Sequence, residues 1–434
     1  MTRLILLVAL ILAGCSATPF KTVTNIDLYG ERFVRLALAL GQHDADYVDA
    51  YHGPEQWQRD AEATEESLNS IREAAEDAAV VLRAARPRSR RSEQRRLHLV
   101  KQFEALAFRA RMLQGESFTF DEESLGLYDA VAPTHSAVYF QAALDELDAT
   151  LNTVETDAES NGTLADRYQR YRTRFEVPAG RLDAVFRAAI AECAERTRAQ
   201  VPLPEGESFR IEYVSDKSWS GYNWYQGGSQ SLIQVNTDFP IHIDRAIDLA
   251  CHEGYPGHHV YNTLVERELL KKQGWIEFSI LPLFSPTGLI AEGSANYGIK
   301  MAFPGNQRVA FERDVLFELA GLDPNQAETY YAVQSVVERL SYAGNEAARR
   351  YLDGAFTAQQ AANWLEQYAL MAPDRARQRV QFFDQYRAYV INYNLGRDLV
   401  AAYVERSDED LQQRWNRFER LLSSPVLPSQ LVAE

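Results

Sequence analysis

From Phe209 to Asn236 the chain reads FRIEYVSDKSWSGYNWYQGGSQSLIQVN, a run rich in Tyr, Trp, Ile, Val and Gly. Aromatic and β-branched residues favour extended backbone and Gly-Ser pairs favour turns, so this run predicts two or three strands. On both sides of it apolar residues recur three and four apart, the helical spacing. Examples are TNIDLYGERFVRLALALGQHD, AGRLDAVFRAAIAECAERTRAQV and DRARQRVQFFDQYRAYVINYNLGRDLVAAYVER. The pattern predicts a mainly α fold with one small antiparallel β-sheet, placed immediately before a histidine-rich helix.

No repeat or low-complexity linker divides the 434 residues. The expectation is therefore one domain over 20–434. It comprises a helical part at about 25–200, the sheet at about 208–237 and a second helical part at about 240–425. An apolar content of 46% can supply its core.

The chain begins MTRLILLVALILAGCSATPF. Arg3 followed by the apolar run Leu4 to Leu12 has the form of an export signal, too short to span a bilayer permanently. Leu12-Ala13-Gly14-Cys15 resembles the bacterial lipobox. That resemblance implies removal of residues 1–14 and a lipid on Cys15. An ordinary signal cleaved near Ala17 is the alternative. Ser16, rather than Asp, after the cysteine implies an outer-membrane lipoprotein facing the periplasm.

A formal net charge of −16 argues against nucleic acid as a partner, because phosphate neutralisation requires a basic face. The arginine-rich stretch RAARPRSRRSEQRR, from Arg83 to Arg96, is read as a solvated loop and helix start, since no aromatic residues interleave for base stacking. Beyond Cys15 the cysteines are Cys193 and Cys251, which an exported chain can join, although spacing alone does not decide it.

Residues 252–259 read HEGYPGHH. In the zinc-peptidase signature H-E-x-x-H, two histidines one helical turn apart bind the ion, and the glutamate acts as base toward water. His252 and Glu253 fit the first two places. The next histidines arrive late. On an unbroken helix His258 would lie about 120° around the axis and His259 about 10 Å along it. Pro256 cannot donate to the carbonyl of His252, and Gly257 permits unusual backbone angles. A bulge at Tyr255-Pro256-Gly257 would therefore bring a late histidine onto the metal face. His258 is preferred, with His259 as the alternative.

Three histidines and a glutamate in eight residues, from eight histidines in the chain, form an unusual concentration. Residues 289–297 read LIAEGSANY, where Glu292 lies in an apolar setting that is costly for a carboxylate unless it is paired or metal-bound. Small residues at 293–295 would let another helix approach. Asp248, four residues before His252, is placed to accept the ring N–H that does not face the ion. The remaining histidines, His52 among them, are read as structural.

These residues resemble a large bacterial family known as domain of unknown function 885. Its first motif is similar to His252–His259. Its Glu-Gly-Trp-Ala-x-Tyr motif is similar to Glu292-Gly293-Ser294-Ala295-Asn296-Tyr297, with Ser294 in place of the tryptophan. Its Tyr-x-x-Gly pattern is similar to Tyr393-Asn394-Leu395-Gly396. The second motif also looks like the segment of gluzincin aminopeptidases that carries the third zinc ligand. The resemblance implies a helical gluzincin-like zinc metallopeptidase with His252, His258 and Glu292 as ligands and Glu253 as catalytic base. Tyr393 is the chosen donor to the oxyanion, with Tyr297 as the alternative.

The expected activity is hydrolysis of a peptide or small amide in the cell envelope, with Zn²⁺ as cofactor. The strand around Ser231–Asn236 is expected to pair with an extended substrate. The alternatives are a metal-dependent amidase or esterase and a non-catalytic lipoprotein scaffold.

Overall fold

The apolar positions spaced three and four apart do become helices. A computed structural model describes residues 25–156, 159–217, 219–406 and 410–432. It is 66% helical with two small sheets, a mainly α fold. The leader and Cys15 lie outside the described residues.

Helix α1 (Ile26–Gly41) starts at Asn25, whose side-chain oxygen accepts from the Asp27 N–H. Helices α2 (Leu68–Ala84) and α3 (Arg90–Leu113) start in the same way at Ser67 and Ser89. Each cap satisfies an N–H that the first helical turn leaves without a partner. The three helices pack together and bury Phe33, Leu40, Ile71, Leu82 and Phe103. The arginine-rich stretch is only partly solvated. Arg86, Arg88 and Arg90 are exposed, but Arg95 is buried and clasps Glu277, with Nη2 2.8 Å from Oε2.

Helix α4 (Leu182–Arg198) leads toward the strand-rich segment. That segment forms β2 (Ser208–Val214), β3 (Gly221–Gly227) and β4 (Gln230–Asn236), preceded in the chain by the short β1 (Val48–Tyr51). The sheet order is β2-β4-β3. β3 and β4 form an antiparallel hairpin, but β2 runs parallel to β4, so the sheet is mixed rather than antiparallel as expected. The reason is topological. The connection from β2 runs to the far edge of the sheet, and β4 then returns between the two strands. Ser231, Ile233 and Val235 alternate toward the buried face, where Ile233 and Val235 pack with Phe186 of α4 and with Leu249.

A second ladder joins β1 to β5 (Ile280–Pro282), antiparallel. At three residues, β5 is too short for any periodicity to reveal. The chain then enters three helices that shape the site: α5 (Asp244–Leu249) and α6 (His258–Val265) before β5, and α7 (Pro286–Ala302) after it. Helices α8 (Pro373–Tyr386) and α9 (Ile391–Val404) complete its walls. No helix among the described residues is long and apolar enough to cross a membrane.

Candidate metal centre

Helix α5 widens into a π-helical turn at Ala250–Gly254, which carries His252 and Glu253. The helix ends there. Tyr255 is extended, the Tyr255–Pro256 bond is cis, and α6 begins afresh at His258. A Cβ on Gly257 would stand 1.9 Å from the His252 carbonyl oxygen, so only glycine fits the turn. The break returns His258 to the first histidine, with the two Nε2 atoms 3.1 Å apart.

Glu292 comes from α7, which α9 flanks at close range. Its Oε2 lies 3.2 Å from His252 Nε2, and its Oε1 lies 3.8 Å from His258 Nε2. One ligand-capable atom from each of the three residues falls within 4.8 Å of the others. Tetrahedral Zn²⁺ with bonds near 2.1 Å places its ligand atoms about 3.4 Å apart, so the spacing fits such an ion. Glu292 Oε2 is buried and has no well-aligned hydrogen bond. Two imidazole nitrogens and a carboxylate oxygen thus converge on one point, the donor set zinc favours.

Electrostatics agree with a cation there. Burial opposes the charging of His252, but the carboxylates of Glu253 and Glu292 outweigh it and raise its pKa to about 9. Burial lowers His258 to about 4, favouring the neutral ring that a ligand requires. Although burial works against it, Glu292 is held at about 2 by His252 and His258 and by the Tyr389 hydroxyl, which donates to Oε1 at 2.7 Å.

His259 is not part of this cluster. It is fully buried, with Nδ1 2.9 Å from Ser231 Oγ and Nε2 2.8 Å from Glu207 Oε2. Glu207 also accepts from Tyr255 and Arg198, so His259 fastens the turn to the sheet. This separates the two adjacent histidines. One faces the candidate ion and the other the core.

Asp248 does not hold His252. It is turned to Arg308 at 2.9 Å and Arg245 at 3.2 Å. Asn296 takes the expected place, with its Oδ1 3.2 Å from His252 Nδ1 and its amide donating to the Tyr393 carbonyl. An N–H on Nδ1 leaves the Nε2 lone pair for an ion. Asn296 is one helical turn past Glu292, and that spacing is the signal that could have revealed it.

Glu253 is buried, with Oε1 4.0 Å from His252 Nε2. Burial chiefly, with the charges of Glu292 and Asp49 adding to it, raises its pKa to about 7. That suits a group exchanging protons near neutrality. Gly221 of β3 leaves it room, since a Cβ there would come within 3.0 Å of Glu253 Oε1.

His252, Glu253, His258, Glu292 and Asn296 face a cleft of about 1760 Å³ that Tyr222, Trp224 and Tyr393 also line. The Tyr393 phenol is kept protonated by burial and by the charge of Glu292. Tyr297, the other candidate donor, points away and hydrogen-bonds Glu405. Tyr389, which sequence reasoning missed, lies one helical turn before Tyr393. Strand β4 is hydrogen-bonded on both sides and cannot accept a further strand. β2 and β3 are the edges of the sheet, and the first residues of β3 line the cleft. His52 lies elsewhere, edge-on to Tyr225. Cys193 and Cys251 are fully buried with their sulfurs 2.6 Å apart, outside the cleft lining.

No protein-family model matches the chain, and no curated protein matches it. Among solved structures it is similar to a candidate lipoprotein from Colwellia psychrerythraea. That pair is 17% identical with a TM-score of 0.48, covering 84% of this chain and 68% of that one. It is also similar to a candidate lipoprotein of unknown function from Shewanella oneidensis. Here the identity is 13% and the TM-score 0.48, covering 95% and 79%. The resemblance to domain of unknown function 885 therefore rests on the quoted motifs alone.

Proposed function

We propose that the chain is a metal-dependent hydrolase that cleaves a peptide or small amide bond. The carrying observation is the convergence of His252, His258 and Glu292 on one point, with the buried carboxyl of Glu253 beside it. A Zn²⁺ ion held by those three residues would supply Lewis acidity to a water molecule and to the substrate carbonyl. Glu253 accepts a proton from the attacking water and returns it to the leaving amine. The Tyr393 phenol donates to the carbonyl oxygen as negative charge grows there. The edge of β3 aligns an extended substrate, with Gly221 keeping its backbone close to Glu253. Asn296 fixes the His252 ring, and Tyr389 occupies one Glu292 oxygen so that the other stays available.

The same residues would serve an amidase or an esterase, which parallel assays on matched peptide, amide and ester substrates separate. A non-catalytic lipoprotein scaffold is the second reading. The similar structure from Shewanella oneidensis is described as a candidate lipoprotein of unknown function. Export and a lipid on Cys15, in the outer membrane, belong to either reading and rest on the leader sequence. Metal analysis of the purified protein, followed by peptide hydrolysis with and without a chelator, tests the proposal. Stoichiometric zinc and chelator-sensitive turnover are expected. Metal-free protein, or turnover indifferent to the chelator, would overturn it.

A further inference from the structure

Arginines and carboxylates both line the cleft, and several of them pair with each other. Arg308 is paired with Asp248 and Glu312, and Arg397 with Glu338 and Asp398. Arg375 and Arg379 differ. They lie one turn apart on α8, both line the cleft, and neither has a carboxylate within 4.0 Å among the described residues. Aromatic faces hold them instead, and Arg375 Nη1 also donates to Gln378 Oε1 at 2.9 Å. The Arg375 guanidinium carbon sits 3.8 Å from the Phe239 ring centroid and the Arg379 carbon 4.3 Å from that of Phe382. Stacking of this kind orients a guanidinium plane and leaves its N–H edge available to a planar anion.

Their position ties them to the candidate centre. The Arg379 guanidinium lies 5.8 Å from the ring of Tyr393, which lies 5.8 Å from the ring of Tyr389, the phenol bonded to Glu292. Burial lowers the Arg375 pKa, the charges of Arg245 and Arg172 add to that, and Asp238 opposes it. Removing guanidinium groups from water without a counter-charge is costly, and an anionic ligand removes that cost.

We propose that Arg375 and Arg379 bind a carboxylate of the substrate, with the bond to be cleaved lying between them and the His252–His258–Glu292 centre. The placement of that bond rests on the hydrolase reading, whereas recognition of the carboxylate does not. The carboxylate belongs either to a free C-terminus or to an acidic side chain.

The test is equilibrium binding to metal-loaded protein carrying Glu253→Gln, which removes turnover, read by calorimetry and by tryptophan fluorescence. Trp219 and Trp224 line the cleft and report occupancy. The probes are tri-alanine, tri-alanine amide and Ala-Glu-Ala amide. Tri-alanine is expected to bind at least about tenfold more tightly than its amide, as charge-assisted bidentate pairs do. In added Arg379→Gln, and further in added Arg375→Gln/Arg379→Gln, that preference should disappear. Arg379→Lys should keep part of it and controls for folding. Arginine-dependent binding of Ala-Glu-Ala amide instead would assign the carboxylate to a side chain. Binding of no probe, or equal binding of all three that is insensitive to both arginines, would overturn the inference. A carboxylate preference without hydrolysis of any substrate by the unsubstituted protein would sink the hydrolase reading and leave this one standing.

Discussion

Gly293 of α7 and Gly396 of α9 are in backbone contact. A Cβ built on Gly293 would lie 2.4 Å from the Gly396 carbonyl carbon, and one on Gly396 would lie 3.0 Å from the Gly293 Cα. This contact gives the two downstream motifs a shared physical meaning. Glu292 stands beside the first glycine, and Tyr389 and Tyr393 are presented beside the second, so the helices must touch for the phenol of Tyr389 to reach Glu292.

Gly293→Ala is therefore expected to separate the helices. Overpacking of this kind costs about 1–3 kcal/mol. Denaturant unfolding should show a loss in that range, and the substituted protein should bind zinc more weakly than the parent in a competition titration. Unchanged stability and affinity would contradict the contact.

Glu253→Gln keeps the size of the side chain and removes the base. Peptide turnover should fall by about 10²–10⁴-fold while zinc content stays stoichiometric. A variant that is fully active removes the proposed mechanism.

The two adjacent histidines should separate cleanly. His258→Ala should abolish zinc binding with modest loss of stability. His259→Ala should retain zinc but lose about 1–3 kcal/mol, because Glu207 and Ser231 are left with an unfilled partner in the core. Metal analysis beside thermal unfolding reads both effects, and the opposite pattern would exchange the assigned roles.

Asn296→Ala should weaken zinc by about 10–100-fold, the usual effect of losing the group that orients a histidine ligand. Asp248→Asn should leave zinc affinity nearly unchanged, since Asp248 faces Arg308 and Arg245 instead.

Glu207 gives a pH signature. Burial opposes its ionisation, but His259, Tyr255 and Arg198 hold its pKa at about 2, below the ordinary 4.5. A depressed carboxylate contributes its full stability above the unfolded pKa and loses it as pH falls through the folded one. The melting temperature of the parent should therefore fall more steeply than that of Glu207→Gln between pH 4.5 and pH 2. Parallel curves would show that Glu207 is not linked to folding.

Local pattern by itself determined the helical class, the place of the strands and the residues on which a metal reading turns. Helical periodicity is written residue by residue, and His252, Glu253 and Glu292 stand out because their chemistry is costly in apolar helices. The sequence could also mark the break at Pro256-Gly257, since both residues act on their own backbone. Only the tertiary structure decided what depends on partners far along the chain. Glu207 claims His259, leaving His258 for the site. Arg308 and Arg245 claim Asp248, leaving His252 to Asn296. The crossing from β2 to the far edge of the sheet makes β3, rather than β4, the edge strand at the cleft. Arg375 and Arg379 are conspicuous only once the cleft shows which arginines have carboxylates beside them. In each case the outcome is a competition among groups brought together by folding, and no spacing within a single segment records who the competitors are.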